Sequence, residues 1–487
     1  MAEYWVIPNT GGTGSGTVSD PWDGLAEITG LAAGDTVYAI GDFSDETYSL
    51  NANGASGNEI TLDLTDATIT HATSFCISSN QRSHWKIVNG TIGGVSTTSL
   101  YDVYIFRSQN ITFTNTIFLE STGSSTESVR VYMDSVTQGV SDLTFQSCAF
   151  YNDLRPFHAV THTLSLDGFN VLDCDFYQCN LFTYFADQIH SNITNRFGPR
   201  NCVVRGNRFH SVPKAAIFLT GWTGSASAYN YVDNNTLTNT GVGGGTLTNA
   251  IQTNYTTWTK IEDNTITETY TQGTGDGHCI ILDHIEDTGV FYPSENCIVR
   301  GNYCTISSTT EAVGAAGIKT WRGANCEIYG NICEGGFAGI SQSNTESTGN
   351  IYGNNTIKNA ANGYALTIAA PASTFTNNLI SNVTNGIDAD AGVTLPTESY
   401  NIFYNISGNS IDNNGTPVSV DSTSTETSTN PVDSNNIPVK GGDAQGTGSK
   451  WWTGPNPAGF NGEPFSDFDT DISANQSTYG PFHPKNL

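Results

Sequence analysis

The chain has 487 residues, of which only 13% are charged, and 18 basic against 46 acidic side chains give a formal net charge of −28. A field of that sign repels nucleic acid and anionic lipid, so neither is expected as a partner. Glycine is abundant (51) and methionine nearly absent (2), and long charged side chains are too few to line the wet faces of helices, which points to an all-β protein.

No apolar run reaches the length of a membrane span, and the opening MAEYWVIPN has no basic stretch followed by an apolar one. The expectation is a soluble protein with no signal peptide in this chain, acting outside the cell or as part of a virion. Residues 1–58 read as an N-terminal cap, with a short helix over Pro21–Leu31 and the first strand at Thr36–Ile40. Such a cap covers strand edges that would otherwise stand open.

From 59 to 410 one phrase recurs: a β-branched stretch, usually an Asn, a spacer and an apolar residue. It reads VVRGNRF from 203, VDNNTL from 232, IVRGNYC from 298, EIYGNIC from 327, IYGNNTI from 351 and TFTNNLI from 374. Taking the Asn or its substitute as marker gives Gly90, Asn115, Cys148, Cys174, Asn207, Asn235, Asn264, Asn302, Asn331, Asn355, Asn378 and Asn405. The intervals run from 23 residues (355 to 378) to 38 (264 to 302). A period of this size with strand-like patterning marks a solenoid of β coils. Equivalent positions then stack at the strand spacing of ~4.8 Å, and inward Asn side chains bond amide to amide up a column.

These ladder motifs, with the opening YWVIPNTGGTGSGTVSDPWDGLAEITG, resemble the right-handed parallel β-helix shared by pectate-lyase-like enzymes and phage tailspikes. The resemblance implies a single-stranded parallel β-helix of about 12 to 13 rungs, with polysaccharide lyase and tailspike depolymerase chemistry among its functions.

Ten cysteines suggest a disulfide framework until they are set on the repeat. Cys297 and Cys326 lie five residues before the marker, Cys304 and Cys333 two after it, and Cys148 and Cys174 replace it. Stacked on neighbouring rungs, they are expected as buried free thiols. The Ser/Thr-rich stretch at 411–436 reads as a linker or lateral loop. The tail 437–487, with Trp451, Trp452, Phe460, Phe465 and Phe468, reads as an aromatic C-terminal cap.

Extra length in a coil leaves as loops that wall a groove. The 38-residue interval holds Asp276, His278, Asp283, His284, Glu286, Asp287 and Glu295, the densest titratable group in the chain. Aligning AIQTNY at 250, CIILDHIED at 279, GIKTWRG at 317 and GISQSN at 339 on their inward Ile puts Gln252 with Asn254, Ile281 with Asp283, Lys319 with Trp321 and Ser341 with Ser343 on one outer face. AIFLTGW at 216 adds Phe218 and Thr220. Trp222, Tyr255, His284 and Arg322 follow at the corner.

Aromatic faces stack on sugar rings, amides bond hydroxyls and cations pair with uronate, so a polysaccharide is the expected partner, with a homotrimer or a virion component as further partners. Trp222, Gln252, Asn254, Tyr255 and Trp321 are the expected binding residues. For an eliminating lyase Lys319 or His284 is the base and Arg322 the charge clamp, with Asp283 orienting His284. No cofactor is required; Asp276, Asp283 and Glu286 are the candidates for an optional Ca2+. The segment WRGANCEIYGN resembles the strand around the acting Arg of alginate and chondroitin lyases of this fold, although the Lys motif of those enzymes one rung earlier is replaced by Asp283 and His284. Two alternatives stand beside the lyase. A glycoside hydrolase would pair Asp283 with Asp276, Glu286 or Asp187. A glycan-binding or structural spike or fibre would need no catalyst. Arg200, Arg205 and Arg208, with His158 and His162, mark a second candidate site.

Overall fold

The computed structural model describes residues 1–93, 101–119, 127–133, 139–151, 155–161, 166–179, 183–185, 199–212, 215–239, 249–268, 277–287, 289–307, 314–367, 370–371 and 373–428. Among them the regular structure is strand, apart from a three-residue 3-10 turn at Leu25–Glu27. The chain divides into two units, Met1–Thr236 and Leu237–Leu487, and each is a parallel β-helix.

In the first unit a ladder begins with Glu3–Val6 on Thr36–Ser44, then Ile60–Thr70, Ser83–Val88, Gln109–Thr114, Ser141–Gln146 and Asp167–Leu172, all parallel. A second ladder runs through Thr91–Gly93, Ile117–Leu119, Ala149–Tyr151, Asp175–Tyr177 and Arg208–His210. A third joins Ile77–Asn80, Tyr101–Phe106, Glu127–Met133, Arg155–Thr161 and Thr183–Phe185. The interior is a column of stacked rings: Phe118 on Phe150 at 4.6 Å, Phe150 on Phe176 at 4.8 Å, Phe176 on Phe209 at 4.7 Å, the last three each two residues past a marker.

The second unit repeats the plan with Ile and Cys in that column. Cys304 is in register with Cys333, and Cys333 with Ile357. Its marker amides bond as expected. The Asn302 side-chain oxygen accepts from the Asn264 backbone N–H (3.0 Å) and amide (2.9 Å), and Asn302 bonds Asn331 in the same way at 3.1 and 2.9 Å. The chain of amides continues through Asn355 and Asn378 to Asn401. From Asn302 to Asn401 each Nδ2 of the column also reaches a backbone carbonyl, as Asn331 does on Val299 at 2.9 Å. The buried amides are thereby satisfied, which a dry core demands.

Several expectations are corrected. The capping helix over Pro21–Leu31 is only the turn Leu25–Glu27, because Gly24 and Gly30 bracket too few residues to nucleate more. The first strand is Glu3–Val6, not Thr36–Ile40. Asn115 and Asn405 are not ladder residues. Thr116 precedes Ile117 as Cys148 precedes Ala149, and Asn115 takes the left-handed corner before it (φ 54°). Asn401 ends the amide column, while Asn405 (φ 50°) occupies the next corner, exposed. Nor does the ladder stop at 410: Thr425–Thr427, inside the presumed linker, pairs in parallel with Ile402–Tyr404. The rest of that stretch from 429 and the aromatic tail 437–487 lie outside the described residues.

All ten cysteines are free and buried, as their positions on the repeat imply. Burial pushes the Cys202 thiol up to about 12, so it stays protonated at neutral pH.

Candidate functional site

The outer face of the second unit has the register that the sequence alignment implies. Ile251, Ile280, Ile318 and Ile340 form one inward column, each fully buried. Gln252, Ile281, Lys319 and Ser341 share the next column; Asn254 lies beside Asp283, and Trp321 beside Ser343.

At Asp283 the pattern changes. The strand Ile280–Asp287 runs past the corner where its neighbours turn, and its last four residues pair antiparallel with Val290–Pro293. The long interval thus builds a β-hairpin that turns at Gly289 (φ 82°). It sets Phe291 against the corner below, where Arg322 sits with φ 69°. Left-handed backbone is unusual for Arg and is held here by two hydrogen bonds from its N–H, to Ser347 Oγ at 2.8 Å and to the Ser343 carbonyl at 3.4 Å.

Four polar side chains make a continuous chain across this corner. His284 Nδ1 lies 2.6 Å from Asp283 Oδ1, which also accepts from the His284 backbone N–H at 2.8 Å. Arg322 Nη1 lies 2.6 Å from His284 Nε2, and Arg322 Nε donates to Glu346 Oε2 at 3.1 Å. Guanidinium only donates and carboxylate only accepts, so the contacts fix the neutral imidazole with its proton on Nδ1 and the Nε2 lone pair facing Arg322. The guanidinium carbon stands 3.5 Å from the Phe291 ring centroid, and the His284 ring meets Phe291 edge-on at 5.2 Å. Side-chain exposures of 15% for His284, 17% for Arg322 and 19% for Asp283 take these groups largely out of water, where charge-assisted bonds count for more.

Asp283, His284 and Arg322 are therefore brought together. Lys319 is buried (4%), with its ammonium 4.4 Å above the Trp321 ring, on the strand next to Ile281. Gln252 accepts from the Asn249 amide just before its strand (2.9 Å) and donates to Asn254 Oδ1 within it (3.1 Å). Tyr255 meets the hairpin through Tyr292, edge-on at 6.0 Å. Trp222 belongs to the first unit and is fully buried, so the stacking role expected of it is not open to its ring as packed. Glu286 is exposed, on the hairpin in register with Phe291. Asp276, Asp187 and His162 lie outside the described residues. Of the expected carboxylate partners of Asp283, only Glu286 is described.

His278 is scaffolding. It is 1% exposed, its Nδ1 accepts from the Ala316 N–H at 3.0 Å, and its own N–H donates to Asn249 Oδ1 at 3.0 Å. Burial, then the Lys319 charge, holds its pKa well below the usual histidine value. The arginines of the second candidate site are cross-rung ion pairs: Arg200 with Asp167 at 2.9 Å, Arg205 with Asp233 at 2.8 Å and Arg208 with Asp175 at 2.5 Å.

Sequence reasoning missed Glu346 and Phe291. The alternation of EDTGVFYP around a Thr-Gly turn was the available sign of a hairpin. Glu346, on a coil otherwise of small neutral residues, carried no local sign. Among the described residues no three His, Cys, Asp or Glu side chains converge as a metal site; of the expected Ca2+ ligands, Asp276 lies outside those residues.

The family model of NosD, a periplasmic copper-binding protein, matches residues 282–445, less than half of the chain. No curated protein matches in sequence. Among solved structures the chain is similar to a GH136 lacto-N-biosidase from Eubacterium ramulus (12% identity, 82% of this chain and 65% of that one, TM-score 0.43). It is also similar to an alginate lyase from a Paenibacillus species (10%, 68% and 94%, 0.34) and to a PL6 family polysaccharide lyase from Pseudopedobacter saltans (13%, 86% and 98%, 0.39). The chain thus spans about two thirds of the length of the lacto-N-biosidase chain, or 65%. Identities this low leave activity and substrate open.

Proposed function

We propose that this protein degrades an acidic, uronate-containing polysaccharide by β-elimination, with His284 as base and Arg322 as charge clamp. The observation that carries the reading is the chain Asp283, His284, Arg322, Glu346, in which an imidazole lone pair and a guanidinium face one another at 2.6 Å. A uronate carboxylate is the natural competitor for that guanidinium, since it accepts a fork of two N–H bonds where the imidazole accepts one. Once Arg322 turns to the carboxylate, Nε2 is open to the substrate.

The carbon beside the carboxylate then gives its proton to Nε2. Its electron pair forms the double bond to the neighbouring carbon, the glycosidic C–O bond breaks, and the leaving oxygen takes a proton from the imidazolium or from water. Arg322 stabilises the enolate that develops on the carboxylate, and Asp283 stabilises the imidazolium through Nδ1–H. Glu346 and Phe291 keep the guanidinium in reach. Trp321 and Tyr255, both half-buried, offer ring faces to neighbouring sugars. The proposed setting is extracellular or virion-associated, with the glycan as partner and no cofactor in the reaction.

The test is ultraviolet absorbance of the unsaturated product on alginate, pectate, chondroitin and bacterial capsule polysaccharides. A rise that His284→Ala and Arg322→Ala each abolish supports the reading. New reducing ends without that absorbance point to hydrolysis instead, and neither signal on any glycan points to a binding or structural role.

A further inference from the structure

On the first unit, the sheet of Ile77–Asn80, Tyr101–Phe106 and Glu127–Met133 carries a cluster that the 283–322 site does not use. Tyr104 lies 5.2 Å from Tyr101, 6.2 Å from Phe106 and 6.4 Å from Tyr132, with each of those ring planes within 28° of its own, and Phe106 lies 5.8 Å from Tyr132. Two guanidiniums rest on these rings, Arg107 at 4.7 Å from Phe106 and Arg130 at 5.4 Å from Tyr101. All six side chains are half-buried. Register explains the grouping: Tyr104 stands beside Arg130 and Phe106 beside Tyr132, while the intervening Val103, Ile105, Val129 and Val131 point into the core. Successive rungs are ~4.8 Å apart, a step comparable with one sugar ring.

We propose that this surface is a binding platform for a linear anionic glycan, separate from the elimination chemistry. Outward rings on a sheet carry an exposure cost that small polar residues avoid. Sugar rings stack on aromatic faces, and guanidiniums pair with carboxylate or sulfate groups. In a chain of net charge −28 an anionic polymer is repelled everywhere except where cations gather, so charge complementarity selects this occupant over a neutral glycan.

The experiment is affinity electrophoresis of the full chain in gels holding alginate, pectate, chondroitin sulfate or neutral dextran. Retardation by the acidic polymers and not by dextran is expected. Tyr104→Ala/Tyr132→Ala should raise Kd about tenfold, and Arg130→Gln, a change on the outer face of the sheet, should weaken binding and flatten its salt dependence. Retardation by alginate and pectate alone assigns carboxylate as the anion; retardation by chondroitin sulfate beyond either assigns sulfate. The proposal is overturned if Arg130→Gln, melting as wild type does, binds unchanged, or if dextran retards equally. Cleavage is read separately by ultraviolet absorbance. A protein that cleaves nothing yet binds through Tyr104 and Arg130 keeps the platform and loses the elimination reading, and the converse result does the reverse.

Discussion

Arg322 shows how much one residue can be asked to do. At the equivalent corner one coil on, Asn344 takes the same left-handed backbone (φ 69°), and Asn is well suited to it. Arg gains no such ease, so its place is explained by the side chain, which holds Glu346, His284 and Phe291 at once. Arg322→Lys keeps the charge but loses the planar fork; turnover should fall about a hundredfold with the melting temperature little changed, as initial rates and thermal unfolding would show. Asn331 makes the matching case for stability. Asn331→Leu strips the Asn302 N–H and amide of their acceptor and should cost about 3 kcal/mol in urea unfolding. Asn405→Gly, at an exposed left-handed corner, should stay within about 0.5 kcal/mol.

At the scale of elements, the hairpin and the coil that carries it are separable. Replacing residues 286–291 by a tight turn removes Phe291 while leaving Ile280–Asp283 in the sheet, so the fold should melt as before and activity should be lost; thermal unfolding beside a rate assay checks both halves. The strand Asn385–Ala389 provides a pH prediction. Asp388 is in register with Asp412, and burial, then the Asp412 and Asp390 charges, raises its carboxyl pKa above the usual range. The folded chain therefore holds that proton to higher pH than the unfolded chain. Stability from this group falls as pH rises from the ordinary carboxylate value through the raised one. Asp388→Asn should be more stable than wild type at neutral pH, with the difference shrinking as pH falls to the ordinary value and below; denaturant midpoints across that range test the sign.

Over the whole molecule, each unit buries its cysteines where neither oxidant nor alkylating reagent reaches. All ten thiols should react with a thiol reagent only on unfolding, and reductant should leave the melting temperature unchanged. The sequence read this correctly because stacking turns spacing into depth: Cys304 and Cys333, both two residues past a marker, meet in the core. The same logic failed by one step at Asn115 and by four at Asn405, since Asn serves both the inward amide column and the left-handed corners and the letter does not say which. The site was half legible. Repeat spacing brought Asp283, His284 and Arg322 to one corner, but it could not announce Glu346 or the inward turn of Phe291.

What the sequence determined by itself was the coil. A period of inward β-branched residues and amides permits only stacked parallel strands, and register then follows residue by residue from the strand repeat of two. What tertiary structure alone decided was direction and distance beyond the ladder. The hairpin leaves its coil at Asp283, folds Phe291 onto Arg322 and closes a chain of hydrogen bonds to Glu346 on the next coil. Trp222, expected at the surface, is buried instead. Those outcomes depend on where loops of irregular length pack, and no periodicity encodes that.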